Sequence, residues 1–243
     1  MTLKVRRALP PRLLDGNIDT ESMRGNGYGE QLVGVPIQGS NVLLADEGSY
    51  LIGLNPTPGT GVAGHAAPTT MDNTKPFLLF RNKAEAGGKR VYLDYIKLVV
   101  TAAGTAGTLN YATHLLDAGA GYTSGGSALT VACPNGELNP DSGIDNAFIG
   151  AVVATANAAL QRVVAHQRVR TVIPVVGDVI LFQFGKTAQP GSAMPLEGTT
   201  ELERVIHCPP VIVAPGQWYK LVLWRASQSA AASYEVEMGY YLR

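Results

Sequence analysis

Short runs of β-branched, aromatic and aliphatic residues, each bounded by glycine, proline, asparagine or serine, occupy the chain from Ser49 onward. The final run is the clearest, because every second residue from Tyr234 to Leu242 is large and apolar while most of the residues between them are polar or small. A period of two places alternate side chains on a buried face and a wet face of one strand. The pattern predicts that the C-terminal residues form a strand within a sheet rather than a tail.

The earlier runs have the short, turn-punctuated spacing that is typical of a sandwich or a barrel. Residues 178–184 carry apolar side chains on both alternate sets, which predicts an inner strand with both faces covered. Pro209 and Pro210 interrupt an apolar run, so that run is expected to be an edge strand or a junction of two pieces. No long amphipathic helices alternate with the runs, which argues against a parallel α/β sheet. The predicted strands before the final run are 49–54, 76–82, 90–100, 109–116, 128–133, 178–184, 205–213 and 218–226.

One alanine-rich stretch, residues 146–167, is ambiguous between strand and helix, because its apolar residues also fit a helical stripe. Gly150 and the β-branched residues that follow His166 weaken a helix. We therefore expect strands on both sides of a turn near Asn157.

The composition indicates a folded protein, since 46% of the 243 residues are hydrophobic and the 19 basic and 19 acidic residues cancel. A neutral chain is not steered toward phosphate backbones or anionic lipid, so neither nucleic acid nor membrane is an expected partner. No secretion signal and no run apolar enough for a membrane span is apparent. Cys133 and Cys208 are too few and too far apart for a disulfide framework or a CxxC metal site, and are expected in the core.

Residues 1–45 differ from the remainder and are expected to form an extended N-terminal arm preceding a sandwich domain at 46–243. The arm has a basic beginning and a glycine-rich piece but no sustained periodicity. It is expected either to strap onto a neighbouring subunit or to be a loosely held terminus. Its candidate partner-contact residues are Lys4, Arg6, Arg7 and Arg12.

Motifs that could carry chemistry are weak. The glycines of GTGVAG (59–64) match a dinucleotide-binding pattern, but a proline-containing segment that cannot open a helix follows them. The acidic segment 134–146 lacks the register of a calcium-binding EF-hand and is typical of a surface loop. The four histidines lack HxH or HExxH spacing. Three of them lie in predicted strands, and their convergence inside a barrel would suit a cupin-like metal enzyme. We predict no catalytic residue, no metal and no cofactor.

A cationic stripe is expected near residue 165. If residues 160–172 form a regular strand, Arg162, His166, Arg168 and Arg170 share one face and the opposite face is apolar. Such a stripe is either a solvated strand face or a surface for an acidic partner, where charges set orientation and association rate. The three arginines are candidate partner-contact residues.

Several segments in order resemble a group of tailed-bacteriophage virion proteins, and together they span residues 45–243. They are ADEGSYLIGLNPTPGTGVAGHAA, TKPFLLFRN, GKRVYLDYIKLVVTAAGTAGT, TVIPVVGDVILFQFG, PPVIVAPGQWYKLVLW and YEVEMGY. The resemblance implies a virion structural component, and some similar proteins are capsid cement or decoration proteins with a jelly-roll fold. It does not reach the arm.

The residue patterns and the resemblance together predict an all-β protein, a jelly-roll-type antiparallel β-sandwich with an extended N-terminal arm. The expected function is that of a non-enzymatic capsid cement or decoration protein, assembled in the host bacterial cytoplasm and located in the virion. It would bridge subunits of the phage major capsid protein as a homo-oligomer, with a trimer expected. The alternative is a tail-associated carbohydrate-binding jelly roll, with Tyr122, Trp218 and Tyr241 as candidate sugar-stacking residues.

Overall fold

The fold is taken from a computed structural model that describes residues 40–66, 69–104, 110–170, 175–185, 203–225 and 230–243. Within these residues the chain has one short helix and sixteen strands. In chain order they are α1 (Ser40–Asp46), β1 (Tyr50–Leu54), β2 (Val62–Ala63), β3 (Leu78–Asn82), β4 (Val91–Ala102), β5 (Asn110–Asp117), β6 (Gly121–Ser124), β7 (Ser127–Ala128), β8 (Thr130–Ala132), β9 (Ile144–Ile149), β10 (Val153–Thr155), β11 (Gln161–Arg170), β12 (Val179–Phe184), β13 (Glu203–Cys208), β14 (Ile212–Val213), β15 (Trp218–Arg225) and β16 (Ser233–Leu242).

Two sheets contain nearly all the strands. The first sheet has the order β13-β12-β4-β16-β1-β8, with β14 also paired to β4 and β2 to β16. The second sheet has the order β11-β5-β15-β3-β9-β7, and β6 and β10 form a separate two-stranded ribbon. The predicted all-β sandwich is confirmed.

Eight of the strands pair in a nested order. The first, β1, pairs with the last, β16; β3 pairs with β15; β4 pairs with β12; and β5 pairs with β11. Along the chain these pairs fall in the first and second sheets by turns. A long folded hairpin wrapped into two facing sheets has this pairing, which is the topology of a jelly roll.

One pair departs from the antiparallel expectation. Strands β12 and β13 run parallel, with Phe182 opposite Ile206. The two prolines at 209 and 210 separate β13 from β14, so they lie at a junction of two pieces, one of the two predicted outcomes. Because proline cannot donate a ladder hydrogen bond, the apolar run breaks there and its second piece pairs with β4 instead.

The core lies between the sheets and follows the predicted alternation. In β16 the five alternate residues from Tyr234 to Leu242 are all buried. They pack in one cluster with residues of both sheets, such as Leu98 of β4 and Leu221 of β15. Cys208 is buried, while Cys133 is partly buried against the same cluster. Burying apolar faces from two sheets is what makes this arrangement stable.

The ambiguous stretch 146–167 is strand on both sides of a turn, as predicted. Strands β9 and β10 precede the turn and β11 follows it. Asn157 accepts a hydrogen bond from Leu160 N at its carbonyl and another from Ala159 N at its side chain, which fixes the turn.

Most of the predicted arm lies outside the described residues, which begin at residue 40. The last residues of its expected range belong to α1. This helix is fastened to the first sheet, because Asn41 Nδ2 donates to Asp94 Oδ2 at 2.7 Å and Leu44 is buried.

Candidate binding surface

Strand β11 is an edge strand of the second sheet and carries the predicted cationic stripe. Its only partner among the described strands is β5. Arg162 and Arg168 are exposed. The backbone of Arg170 pairs with Asn110, and its side chain lies outside the described atoms.

The stripe does not lie on one face, because β11 is not a regular strand. Its register with β5 shifts around Val164 and again between Arg168 and Arg170. Arg162 lies opposite Leu116 and Arg168 opposite Tyr111, two positions on opposite faces of β5. An extra residue in one strand reverses the alternation beyond it. The expectation of a single arginine face is therefore wrong for Arg162, which is on the opposite face from Arg168 and His166.

Apolar residues are also exposed at the start of β11. Leu160 is 49% and Val163 56% exposed, on either side of Arg162. Two bulges and several charges protect an edge strand from pairing with a further strand. The edge is therefore built for contact through side chains rather than through added β-pairing.

Three rings cluster on the outer face of the second sheet beside this edge. Tyr111 stacks on Trp224 with ring centroids 4.1 Å apart, and His166 lies 5.7 Å from Tyr111 and 5.9 Å from Trp224. Thr113 joins them, since Trp224 Nε1 donates to its hydroxyl at 3.3 Å and that hydroxyl lies 2.8 Å from His166 Nδ1. Arg168 lies beside Tyr111 in the register. We call Tyr111, His166 and Trp224 the ring cluster.

Sequence reasoning missed the ring cluster because it depends on strand pairing. The rings come from β5, β11 and β15, and only the order β11-β5-β15 makes them neighbours. The signal in the sequence was that Tyr111 and Trp224 alternate with core-facing residues, which predicts that both rings point away from the core. Both lie in strands that were predicted correctly.

The three aromatic residues proposed for sugar stacking are placed differently. Trp218 is buried, in a small apolar cluster on the second sheet. Tyr122 stacks on Phe148 at 4.0 Å, and Tyr241 stacks on Tyr92 at 5.0 Å. The latter two are only partly buried, so each offers part of a ring to solvent.

A buried ion pair connects the second sheet to β10, to the turn after it and to the loop before β3. Lys220 Nζ lies 3.1 Å from Asp117 Oδ2, and both side chains are fully buried. The same ammonium donates to the carbonyls of Asn73 and Thr155, while Asp117 accepts from the backbone N–H groups of Gly119 and Asn157. Burial lowers the pKa of Lys220, and its bond to Asp117 opposes that effect. Every contact is internal, so the pair is structural.

The four histidines do not meet at one site. His114 is fully buried between the sheets, whereas His166 belongs to the ring cluster and is exposed. His65 Nε2 lies 2.6 Å from the carbonyl of Val152, and His207 belongs to β13. Among the described residues, no three histidine, cysteine, aspartate or glutamate side chains form a metal-binding group.

The four arm residues proposed as partner contacts, Lys4, Arg6, Arg7 and Arg12, lie outside the described residues. The GTGVAG segment forms a turn and the two-residue strand β2, which pairs with β16. In the acidic segment, Asp141 pairs with Lys83 and accepts from Gly143 N. The hydrogen bond from Lys83 lowers the pKa of that carboxyl.

The chain matches no protein-family model, no curated protein and no solved structure. In the part of the chain that is described, no helix has the length and hydropathy needed to cross a bilayer.

Proposed function

We propose that the protein is a structural, non-enzymatic component of a tailed-phage particle, a capsid cement or decoration protein that binds and bridges major capsid subunits. The observation that carries the proposal is the β11 edge, where exposed Leu160 and Val163 flank an exposed arginine on a two-sheet sandwich. The series of segments that resembles virion proteins, in the same order along the chain, supports the same function.

The β11 edge has the composition of a contact surface. Exposed apolar side chains supply area to remove from water, and arginine is enriched in protein interfaces. Arg162 and Arg168 project on opposite faces of the strand, so a partner that wraps the edge would meet one charge on each side. Such charges steer and orient association more than they tighten it.

Within this proposal the protein is a homo-oligomer, with a trimer expected, and resides in the virion. Its net charge of zero supports a protein partner over nucleic acid or a membrane surface. Symmetric copies on a capsid lattice multiply weak individual contacts by raising the effective concentration of the second contact.

The test is charge reversal at the edge. Arg162→Glu combined with Arg168→Glu is expected to weaken attachment to particles about tenfold, and more steeply at low salt than at high salt. The measurement is the number of copies retained on purified particles, against the same particles carrying the unaltered protein.

The matched control is Lys89→Glu combined with Arg90→Glu, which makes the same charge change at two exposed positions between β3 and β4. It is expected to leave occupancy unchanged. Equal occupancy for both double variants would show that the β11 edge does not contact the capsid.

A second candidate, a carbohydrate-binding protein of the tail, is favoured by the ring cluster. Aromatic rings with adjacent polar groups stack on sugar faces, and Arg168 and the partly exposed Trp224 provide both near one another. Glycan binding that is lost in Trp224→Ala and kept in Trp218→Phe would support it. Copy number separates the two functions, because a capsid component is present in hundreds of copies and a tail component in a few.

A further inference from the structure

A small cleft lies at one end of the sandwich, where β5, β12 and β16 begin and β11 and β15 end. Its volume is about 40 Å³, and its lining includes Tyr111, Trp224, Tyr234 and Arg225. This is room for a few atoms, the size of a single functional group. The cleft therefore has room for a small group at the end of a ligand.

Arg225 is the unusual member of this lining. Its side chain is 3% exposed, and its Nη1 atom is buried without a hydrogen-bond partner among the described residues. Within the same residues it forms no ion pair, whereas Lys75 in the lining is already paired with Asp72 at 3.2 Å. A buried guanidinium remains charged, and leaving it uncompensated is costly.

Among the described residues that line the cleft, none is an aspartate or a glutamate. The segments that follow β4, β11 and β15 in the sequence, 105–109, 171–174 and 226–229, contain no aspartate or glutamate. Asp178, a buried acid at the start of β12, is not part of the cleft lining, and its Oδ2 accepts from Val175 N. No carboxylate of the described lining therefore competes with an anion for the Nη1 atom of Arg225.

We propose that this cleft binds a carboxylate group, held by the guanidinium of Arg225. A carboxylate matches the planar fork of arginine and can accept two parallel N–H bonds. Its single charge neutralises the single charge of Arg225, whereas a phosphate dianion would have to leave a second charge among the rings of Tyr111, Trp224 and Tyr234. The site does not depend on the function proposed above.

Sodium acetate is the probe, and acetamide is the neutral control of the same shape. Acetate is expected to raise the melting temperature in a saturable manner, because a ligand that binds only the folded state stabilises it. It should also change the fluorescence of Trp224, one of two tryptophans in the chain. Acetamide, and sodium chloride at matched ionic strength, are expected to do neither.

Arg225→Met is the variant that tests the contact. It keeps an unbranched side chain in place of the arginine stem and removes the guanidinium with its charge. It is expected to weaken acetate binding at least about tenfold, the loss of one charge-assisted hydrogen bond. Arg90→Met, at an exposed arginine before β4 that is not part of the cleft lining, is the control and should bind acetate normally. Unaltered acetate binding by Arg225→Met would overturn the proposal.

If Arg225→Met does not fold, the comparison of ligands on the unaltered protein still tests the proposed carboxylate site. Equal responses to acetate, chloride and acetamide would also overturn it. N-acetylglutamate α-amide, whose one carboxylate is that of the glutamate side chain, then distinguishes two sources of the carboxylate. Tighter binding of that compound than of acetate indicates an acidic side chain of a protein, and the reverse order indicates a free small acid.

Discussion

His114 shows what a polar side chain needs in order to sit between two apolar sheets. Its Nδ1 lies 2.6 Å from the hydroxyl of Tyr219, and its ring meets the edges or faces of Phe182 and Phe184. Burial lowers the pKa of His114 to about 4 from its ordinary 6.5, and a hydrogen bond with Gln167 opposes part of that shift. The ring is therefore neutral near pH 7, and charging it is unfavourable in the folded protein.

Stability should fall with acid because of this residue. Between pH 6.5 and pH 4 the unfolded chain binds a proton at His114 that the folded chain does not, so the unfolding free energy decreases as the pH falls through that window. The contribution is about 3 kcal/mol across the window. Urea unfolding at a series of pH values measures it, and His114→Gln should show a flatter dependence. Equal slopes for the two proteins would contradict the assignment.

The pair of Lys220 and Asp117 should behave as a unit. Lys220→Met leaves the Asp117 carboxylate buried with only backbone donors, and is expected to lower the unfolding free energy by roughly 3–5 kcal/mol. Lys220→Met combined with Asp117→Leu removes both charges and should recover part of that loss. Chemical denaturation of the single and double variants measures the coupling, and strictly additive losses would show that the two groups act separately.

At the scale of the element, β4 illustrates what its sequence could and could not predict. Its core residues are Val91 and Leu93 and then Ile96 and Leu98, so the alternation changes phase between 93 and 96. The register with β16 shifts at the same place, which leaves Asp94 as the extra residue. The phase change was visible in the sequence, but the partners that satisfy a buried aspartate, Tyr50 and Asn41, were not.

The irregularity of β11 had a weaker signal. A regular period of two predicted that its arginines share a face, and the consecutive valines 163 and 164 were the only local sign of an extra residue. Which of two neighbouring apolar residues turns inward depends on the space left by the other sheet. That space is set by packing, so local sequence does not determine it.

Strand β16 has a tightly packed point at Gly239. A Cβ atom there would overlap the ring of Tyr95 and the hydroxyl of Tyr50. Gly239→Ala is expected to cost about 1–3 kcal/mol of unfolding free energy, because overpacking forces neighbours off their preferred rotamers. Gly136→Ala, where a Cβ atom meets nothing within 4 Å, is the control and should be nearly neutral. Thermal melting compares the two, and similar melting temperatures would show that the tyrosines move freely.

At the scale of the molecule, the sequence predicted the strands and the two-layer class but not their partners. Pairing between distant strands such as β1 and β16 depends on packing of both faces, and many pairings are compatible with the same alternation. The burial of Arg225 could not be predicted from the sequence either. Its position at the end of a strand predicts exposure, and only the assembled sheets enclose it.

The whole molecule should associate with itself. In the proposed function a homotrimer forms on the particle, and we expect the purified full-length chain to form it in solution at micromolar concentration or above. Light scattering coupled to gel filtration measures the mass against the 25.6 kDa of one chain. Deletion of residues 1–39 is the companion variant, and a trimer that persists without them would show that the arm is not the strap. A monomer for the full chain at all concentrations would contradict self-association.

The nested pairing of the jelly roll also has a kinetic consequence. The partners β5 and β11 enclose the shortest stretch of chain, and each pair outside them encloses a longer one, up to β1 with β16. Joining distant segments loses more entropy than joining near ones. Folding is therefore expected to begin with β5 and β11 near the middle of the polypeptide and to add the outer pairs in turn. The pairing of the first and last strands is expected to be the slowest step.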